Sequence, residues 1–158
     1  MALILDQENI VQLIGFNVGP KLLGADILTV REILREPTIG EAVGAPPFVG
    51  GIVQLRGQVI PIVDMRSVIG IGPSNIELDK PWVLVAQAGE YQVGYQIDSV
   101  TPILRVEEDA ILPAPDIIVS GLRSKYIRGV CETEKGLLVV VNLEHLLDDE
   151  EINALGRM

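Results

Sequence analysis

The sequence predicts an all-β protein made of two small barrels, with short helical turns and a helix near its C-terminal end. Hydrophobic residues make up 48% of the 158 residues and aromatic residues only 4%, so the apolar content is mainly Ile, Val and Leu. β-Branched residues favour strands, and the 16 glycines and 10 prolines favour tight turns between them. An internal duplication predicts that one such unit is made twice.

The duplication consists of two blocks of residues that recur in the same order. The first block recurs after 70 positions and the second after 78, which places about eight extra residues (78 − 70) near Pro113, Pro115 and Asp116. The repeated sets are Gly24, Ile27, Val30, Ile33, Leu34 and Arg35 with Gly94, Ile97, Val100, Ile103, Leu104 and Arg105, then Gly51, Asp64 and Ile69 with Gly129, Asn142 and Leu147. We expect one domain over 1–158, with a first barrel at about 10–75, a second at about 76–148 and a C-terminal helix or tail at 149–158.

Each repeat begins with a predicted strand pair. In the first repeat the strands are Val11–Val18 and Leu22–Ala25, and in the second they are Trp82–Ala86 and Tyr91–Ile97. The short connection Ala88–Glu90 is typical of a hairpin.

The next segment has helical spacing over a short length. Leu23, Ile27, Val30 and Leu34 are 4, 3 and 4 positions apart, which predicts a helical turn between two strands. On such a turn, Ile27, Val30 and Ile33 form one stripe, which faces either the core or a partner.

A second hairpin closes each repeat. One turns at Arg56-Gly57 and the other at Glu134–Gly136. Asp64 and Asn142 follow the returning strands and are good helix N-caps, because their side chains accept hydrogen bonds from free backbone N–H groups. The acidic run Asp148–Glu151 predicts the start of a last helix.

Composition argues against several function classes. The net charge is −10, with 22 acidic and 12 basic residues, whereas nucleic-acid binders concentrate positive charge. No apolar stretch reaches the roughly 20 residues of a membrane span, and we expect no nucleic acid, no membrane insertion and a cytoplasmic location. The single cysteine, Cys131, excludes an internal disulfide.

The inventory of reactive groups predicts no catalytic, cofactor or metal site. His145 is the only histidine, and its place in Leu143–Leu147 favours a polar position on a helical turn. Cys131 is next to Glu132, and a neighbouring acid raises a thiol pKa, so we expect a buried structural thiol. No enzymatic interpretation remains.

One stretch resembles a known family. Phe48–Arg66 carries Gly51-Ile52, the turn Gln54-Leu55-Arg56-Gly57 and the return Ile60-Pro61-Ile62-Val63-Asp64-Met65-Arg66, and it is similar to the signature hairpin of the CheW family. Gln54 and Met65 stand where that family usually has Asn and Leu. Ala25–Ile33, Tyr126–Val130 and Leu137–Leu147 also resemble segments of that family, so the likeness spans roughly 10–148.

The resemblance implies a fold and a function. The family fold is a pair of five-stranded SH3-like barrels. Its members are adaptors that hold the cytoplasmic tip of a methyl-accepting chemoreceptor between the barrels and pack against the regulatory domain of a CheA-type histidine kinase. By position, Glu32, Gly51, Arg56 and Gly57 match partner contacts, and the candidate receptor groove consists of Ile27, Val30, Ile33 and Val100. We expect such an adaptor to be recruited to the inner face of the membrane through receptor arrays.

Two alternatives stay open at this point. A CheW-like scaffold could serve a non-flagellar motility or developmental pathway, which the sequence does not separate from chemotaxis. A small-ligand sensor could use the groove between the barrels, but that groove would then need convergent polar groups, and the predicted stripe is apolar.

Overall fold

The computed structural model describes residues 9–70, 81–114 and 126–158. Within these ranges the chain is mainly β structure. The strands are β1 (Ile10–Val18), β2 (Lys21–Asp26), β3 (Val30–Arg35), β4 (Val49–Leu55), β5 (Gln58–Asp64), β6 (Trp82–Ala88), β7 (Tyr91–Ile97), β8 (Ser99–Glu107), β9 (Ile127–Thr133) and β10 (Gly136–Val141). The helices are α1 (Met65–Ile69) and α2 (Asp149–Leu155), with 3₁₀ turns at Ile27–Thr29, Glu108–Ala110 and Leu143–His145. The prediction of an all-β protein with short helical turns and a C-terminal helix is confirmed.

The strands of the described residues form two five-stranded sheets with equivalent topology. Sheet A has the order β8-β1-β2-β10-β9 and sheet B the order β3-β6-β7-β5-β4. Replacing each strand by its duplicate (β1 by β6, β2 by β7, β8 by β3, β10 by β5 and β9 by β4) converts one order into the other. In both sheets the central contact is parallel, β10 on β2 and β5 on β7, and the other pairings are antiparallel.

The predicted division into a barrel at 10–75 and a barrel at 76–148 is wrong as a division of the sheets. Each sheet combines the first two strands of one repeat with the last three strands of the other. Only Asp98 separates β7 from β8, and one linking residue spans roughly 7 Å. To pair within its own repeat, β8 would have to add to the free side of β6, which lies two strand spacings, roughly 9.6 Å, from β7. The single linking residue does not reach that far, so β8 continues into the other sheet. The predicted boundary at 75/76 and part of the predicted insertion, Pro115 and Asp116, lie outside the described residues.

A crossing segment draws the two edges of each sheet together. Gly40, which follows edge strand β3, forms a bridge with Ile52 on edge strand β4. In sheet A, Leu112 follows β8 and forms the equivalent bridge with Val130 on β9. Each bridge curls its sheet toward a barrel.

The described residues form a core with three parts. The largest cluster takes buried residues from both sheets, including Phe16 and Leu23 of sheet A and Tyr95 of sheet B, so the two sheets are packed together as one body. Each sheet also encloses a smaller cluster of its own. In sheet B it contains Val53, Ile60, Ile62, Val83 and Val85, and in sheet A it contains Leu13, Cys131, Leu138 and Val140.

Of the two predicted helix caps, Asp64 is confirmed and Asn142 is not. The Asp64 carboxylate accepts a hydrogen bond from the Arg66 N–H at 3.0 Å. Asp148 and Glu151 form a reciprocal capping box at the start of α2. Asn142 occupies an N-cap position, but its side chain makes no capping hydrogen bond, so that detail of the prediction is wrong.

Candidate functional site

The β4–β5 hairpin presents Arg56 and Gly57 at a tight turn. Leu55 is paired with Gln58, which leaves these two residues as the turn, and both have positive φ (+50° and +78°). Two positive φ values define the type I′ geometry that suits the twist of a two-residue hairpin. Gly57 adopts this conformation without strain, whereas Arg56 is an uncommon residue there.

Arg56 is paired with Glu32 of the same chain. Its two terminal nitrogens, Nη1 and Nη2, donate to Glu32 Oε2 and Oε1, each at 2.9 Å. The sequence predicted both residues as partner contacts, and the structure joins them into one bidentate ion pair that links β3 to the tip beyond β4. The Arg56 side chain is 77% exposed and that of Glu32 26%, so a partner can reach the guanidinium.

Gly51 is not on the surface but lies beneath Ile39 and Gly40, in the segment that bridges to Ile52. It is buried, and a Cβ atom there would lie 2.5 Å from Ile39 Cγ2 and 2.9 Å from the Gly40 carbonyl oxygen. A side chain at Gly51 would therefore displace the Gly40–Ile52 bridge. Any influence of Gly51 on a partner is exerted through the shape of the sheet edge.

The predicted helical stripe of Ile27, Val30 and Ile33 is only partly correct. The helical turn ends at Thr29, and Val30 and Ile33 lie on strand β3. In a regular strand, residues three apart face opposite sides. Here β3 advances three residues from Val30 to Ile33 while β6 advances two, from Ala86 to Leu84. This bulge returns Val30 and Ile33 to the same side.

The second repeat contains the same bulge. On β8, Val100 and Ile103 are paired with Phe16 and Ile14, again three residues against two. Val30, Ile33 and Val100 are partly buried and all pack against the core cluster shared by the two sheets. The structure thus brings three of the four predicted groove residues to one core. Ile27 is half-buried on the turn that precedes β3.

Leu28 and the sheet junction were missed by the sequence interpretation. Leu28, next to Ile27, is 86% exposed, which an apolar spacing pattern cannot reveal. At the junction, Asp98 accepts hydrogen bonds from Arg66 Nη2 and from the Gly19 N–H, both at 2.8 Å. Asp98 therefore ties α1 and the β1–β2 turn to the crossover into β8, two residues before Val100.

Cys131 and His145 lie in the surroundings that the sequence predicted for them. Cys131 is buried, and burial together with the neighbouring Glu132 raises the pKa of its thiol. His145 is exposed on a 3₁₀ turn. Across residues 9–70, 81–114 and 126–158, no group of three or more His, Cys, Asp or Glu residues is placed to hold a metal ion. No helix in the same ranges has the length and apolar character needed to cross a membrane.

Two five-stranded sheets of equivalent topology share one core, and the β4–β5 hairpin lies at an edge of sheet B. These features define the class of protein. The sequence matches the CheW-like domain over residues 12–151. This chain belongs to the CheW-like domain family.

Individual relatives agree with this assignment. A chemotaxis protein CheW from Rhizobium meliloti is 34% identical over 90% of this chain and 91% of its own length. A probable chemotaxis protein CheW from Rhizobium etli is 31% identical, with the same two coverages. The crystal structure of the scaffolding protein TtCheW from Thermoanaerobacter tengcongensis shares the fold, with a TM-score of 0.76 over 89% of this chain and 94% of that one, at 23% identity.

Proposed function

We propose that this chain is a non-enzymatic adaptor that couples methyl-accepting chemoreceptors to a CheA-type histidine kinase in a bacterial chemotaxis array. The observation that carries the proposal is the match to the CheW-like domain over residues 12–151, together with chemotaxis relatives that cover about nine-tenths of the chain. The protein would act in the cytoplasm, at the inner face of the membrane where the receptors end.

The receptor tip would bind beside the core that the two sheets share. Val30, Ile33 and Val100 are partly buried on that core, and Ile27 with the exposed Leu28 extends the apolar surface onto the preceding turn. A helical partner binds such a surface through apolar residues spaced three and four apart.

The kinase regulatory domain would meet the sheet B edge at the Arg56-Gly57 turn. The guanidinium of Arg56 keeps a rigid fork of donors, and pairing with Glu32 holds it in one orientation. Because the pair is exposed, a partner carboxylate can share or replace the Glu32 contact. Gly51 would support this edge by allowing the Gly40–Ile52 bridge.

Coupling would be allosteric. An adaptor that makes different contacts with the active and inactive states of a receptor and kinase shifts the population between those states. The shared core joins the two sheets into one body, through which movement of one sheet would be transmitted to the other. No phosphoryl group passes through this chain.

The test is a pull-down of the purified chain against a cognate receptor tip and the kinase regulatory domain. We expect the wild type to bind both, Val30→Asp to lose the receptor tip, and Arg56→Ala to lose the kinase domain. Glu134→Ala, at the equivalent turn position of the second repeat (56 + 78), is the matched control and should bind both. Failure of the folded wild type to bind either partner would refute the proposal.

A further inference from the structure

Two short crossovers carry the chain between the sheets, and each leads into the proposed receptor groove. The Ile27–Thr29 turn joins β2 of sheet A to β3 of sheet B, and Asp98 joins β7 of sheet B to β8 of sheet A. Val30 follows the first crossover directly, and Val100 lies two residues beyond Asp98. The position of each of these two groove residues therefore depends on how its crossover is held.

Asp98 is held by hydrogen bonds from elements of both sheets. Its Oδ2 accepts from the Gly19 N–H in the β1–β2 turn and from Arg66 Nη2 on α1, which follows β5, and both bonds are 2.8 Å long. The Asp98 N–H donates to the Asn17 carbonyl oxygen at 2.9 Å. A further bond, from Asn17 Nδ2 to Ser99 Oγ at 2.9 Å, fixes the first residue of β8.

Arg66 is a well-anchored partner for this carboxylate. Its backbone N–H donates to Asp64 at 3.0 Å, and its carbonyl oxygen accepts from the Gly70 N–H at 3.1 Å. The side chain is 14% exposed, and its Nε has no hydrogen-bond partner among the residues that the structure describes. Without Asp98, a further donor of this buried guanidinium would lose its partner, which is costly.

The first crossover is built differently. Leu28, at the position equivalent to Asp98 (98 − 70), is 86% exposed. Its N–H donates to the Asp26 carboxylate at 2.9 Å, and Thr29 Oγ1 donates to the Asp26 carbonyl oxygen at 2.6 Å. These bonds stay within the turn, whereas the bonds to Asp98 come from elements of both sheets.

We propose that Asp98 is a positioning residue for receptor binding: it fixes the start of β8 and so places Val100 in the receptor groove. Asp98 acts through Val100 and is not itself a contact. The inference rests on the proposed function and adds the residue that sets the geometry of one side of the groove. The proposed kinase contact, Arg56, precedes β5, whereas Arg66 follows it, so receptor affinity should depend on Asp98 and kinase affinity should not.

The experiment measures the affinity of the full-length chain for a receptor tip and for the kinase regulatory domain by isothermal titration calorimetry. We expect Asp98→Ala to weaken receptor binding at least about fivefold and to leave kinase binding within about twofold of the wild type. Arg66→Lys keeps a cation beside Asp98 and should keep both affinities within about twofold.

A second measurement tests the placement of Val100 without any partner. Val100 is paired with Phe16 on β1, and directly opposite side chains in a sheet are close together. In the free chain, we expect the nuclear Overhauser effects between the Val100 methyl groups and Phe16 to weaken in Asp98→Ala and to persist in Arg66→Lys. Gly94→Ala, which disturbs the interior of sheet B, is the control for lost stability and should keep these effects and the receptor affinity.

Four results would overturn the inference. They are unchanged receptor affinity in Asp98→Ala, equal weakening of both partners, the same receptor loss in Gly94→Ala, and unchanged contacts between Val100 and Phe16. If Asp98→Ala does not fold, Asp98→Asn, which keeps an acceptor for the Gly19 N–H but loses the charge, is held to the same four criteria. A folded wild type that binds neither partner would refute the proposed function, whereas a wild type that binds both, with an unaffected Asp98 variant, refutes this inference alone.

Discussion

Sheets A and B have the same strand order, but their edges are bridged by different chemistry. In sheet B, Glu32 and Arg56 form a bidentate ion pair between β3 and the β4–β5 turn. The equivalent residues of sheet A are Pro102 (32 + 70) and Glu134 (56 + 78), which cannot form such a pair. A cavity of about 720 Å³, lined by both of these residues, is open there. A cleft of about 490 Å³ in sheet B shares three equivalent positions with this cavity, Leu34, Gln54 and Leu55, and is lined by neither Glu32 nor Arg56.

Inside the sheets the two repeats are much more alike. Val53, Ile60 and Ile62 of sheet B correspond to Cys131, Leu138 and Val140 of sheet A, and each set forms its own small cluster. The interior must be filled with apolar volume in both copies, whereas the edges carry no such requirement. A duplicated chain can thus keep one backbone and offer two different ends.

The largest effect is expected where the parallel strands approach each other. A Cβ atom on Gly94 would lie 2.6 Å from both Ile62 Cδ1 and Val83 Cγ1, whereas one on the equivalent Gly24 would lie 2.6 Å from Leu138 Cδ2 alone. We expect Gly94→Ala to lower the free energy of unfolding by about 1–3 kcal/mol, and Gly24→Ala by less, because one flexible side chain can move.

Urea denaturation followed by circular dichroism measures this difference between the sheets. Gly50→Ala is the control, because the nearest atom to a Cβ there is the Ile62 carbonyl oxygen at 4.0 Å. It should change stability by less than about 0.5 kcal/mol. A larger loss for Gly24→Ala than for Gly94→Ala would contradict the argument.

The second prediction concerns the junction, where the repeats also differ. Asp98 accepts from Arg66 and from the Gly19 N–H, and the Arg66 side chain is only 14% exposed. Asp98→Ala leaves that charge without its partner, and we expect a loss of about 1–3 kcal/mol. Leu28→Ala, at the equivalent position of the first repeat, removes an 86% exposed side chain and should cost less than about 0.5 kcal/mol. Equal losses in thermal denaturation would refute the assigned role of Asp98.

The third prediction concerns Cys131, which stands where sheet B has Val53. Since both positions are buried in the small clusters, Cys131→Val should change stability by less than about 1.5 kcal/mol near neutral pH. Burial and Glu132 raise the pKa of the folded thiol above its ordinary value of 9.0. The folded state therefore favours the protonated thiol, and this contribution is present below about pH 9 and is lost as the pH rises through the folded pKa.

The comparison with Cys131→Val isolates that contribution. Between about pH 9 and 10.5, the wild type should lose more stability than the variant in urea denaturation. Parallel curves for the two proteins would show that the thiol is not protected in the folded state.

The smallest effect on stability is expected for the Glu32–Arg56 pair. The Arg56 side chain is 77% exposed, and solvent-exposed pairs contribute about 0–1 kcal/mol. A double-mutant cycle with Glu32→Ala and Arg56→Ala should give a coupling energy within that range, and salt should reduce it. Coupling well above this range would assign the pair to the stability of sheet B rather than to recognition.

Much of the fold and part of the site followed from the sequence. The duplication identified equivalent positions correctly, since β1 to β5 correspond in order to β6 to β10. The Arg56-Gly57 turn and the helix start at Asp148–Glu151 were predictable because they depend on local backbone geometry and local charge. The spacing of Ile27, Val30 and Ile33 indicated a shared face, but its cause is a bulge on β3 and not a helix.

The sequence by itself determined the two repeats, their apolar interiors, their turns and the absence of a second cysteine or histidine, because these depend on residue type and local spacing. Only the tertiary structure decided that the repeats exchange strands. The short link at Asp98 restricts where β8 can pair only once β6 and β7 lie side by side in a sheet. The tertiary structure also decided that Arg56 is paired with Glu32, that Asp98 holds Arg66 at the junction, and which apolar residues are exposed. Each of these depends on residues that are distant in the chain meeting in space, and a local pattern carries no information about that meeting.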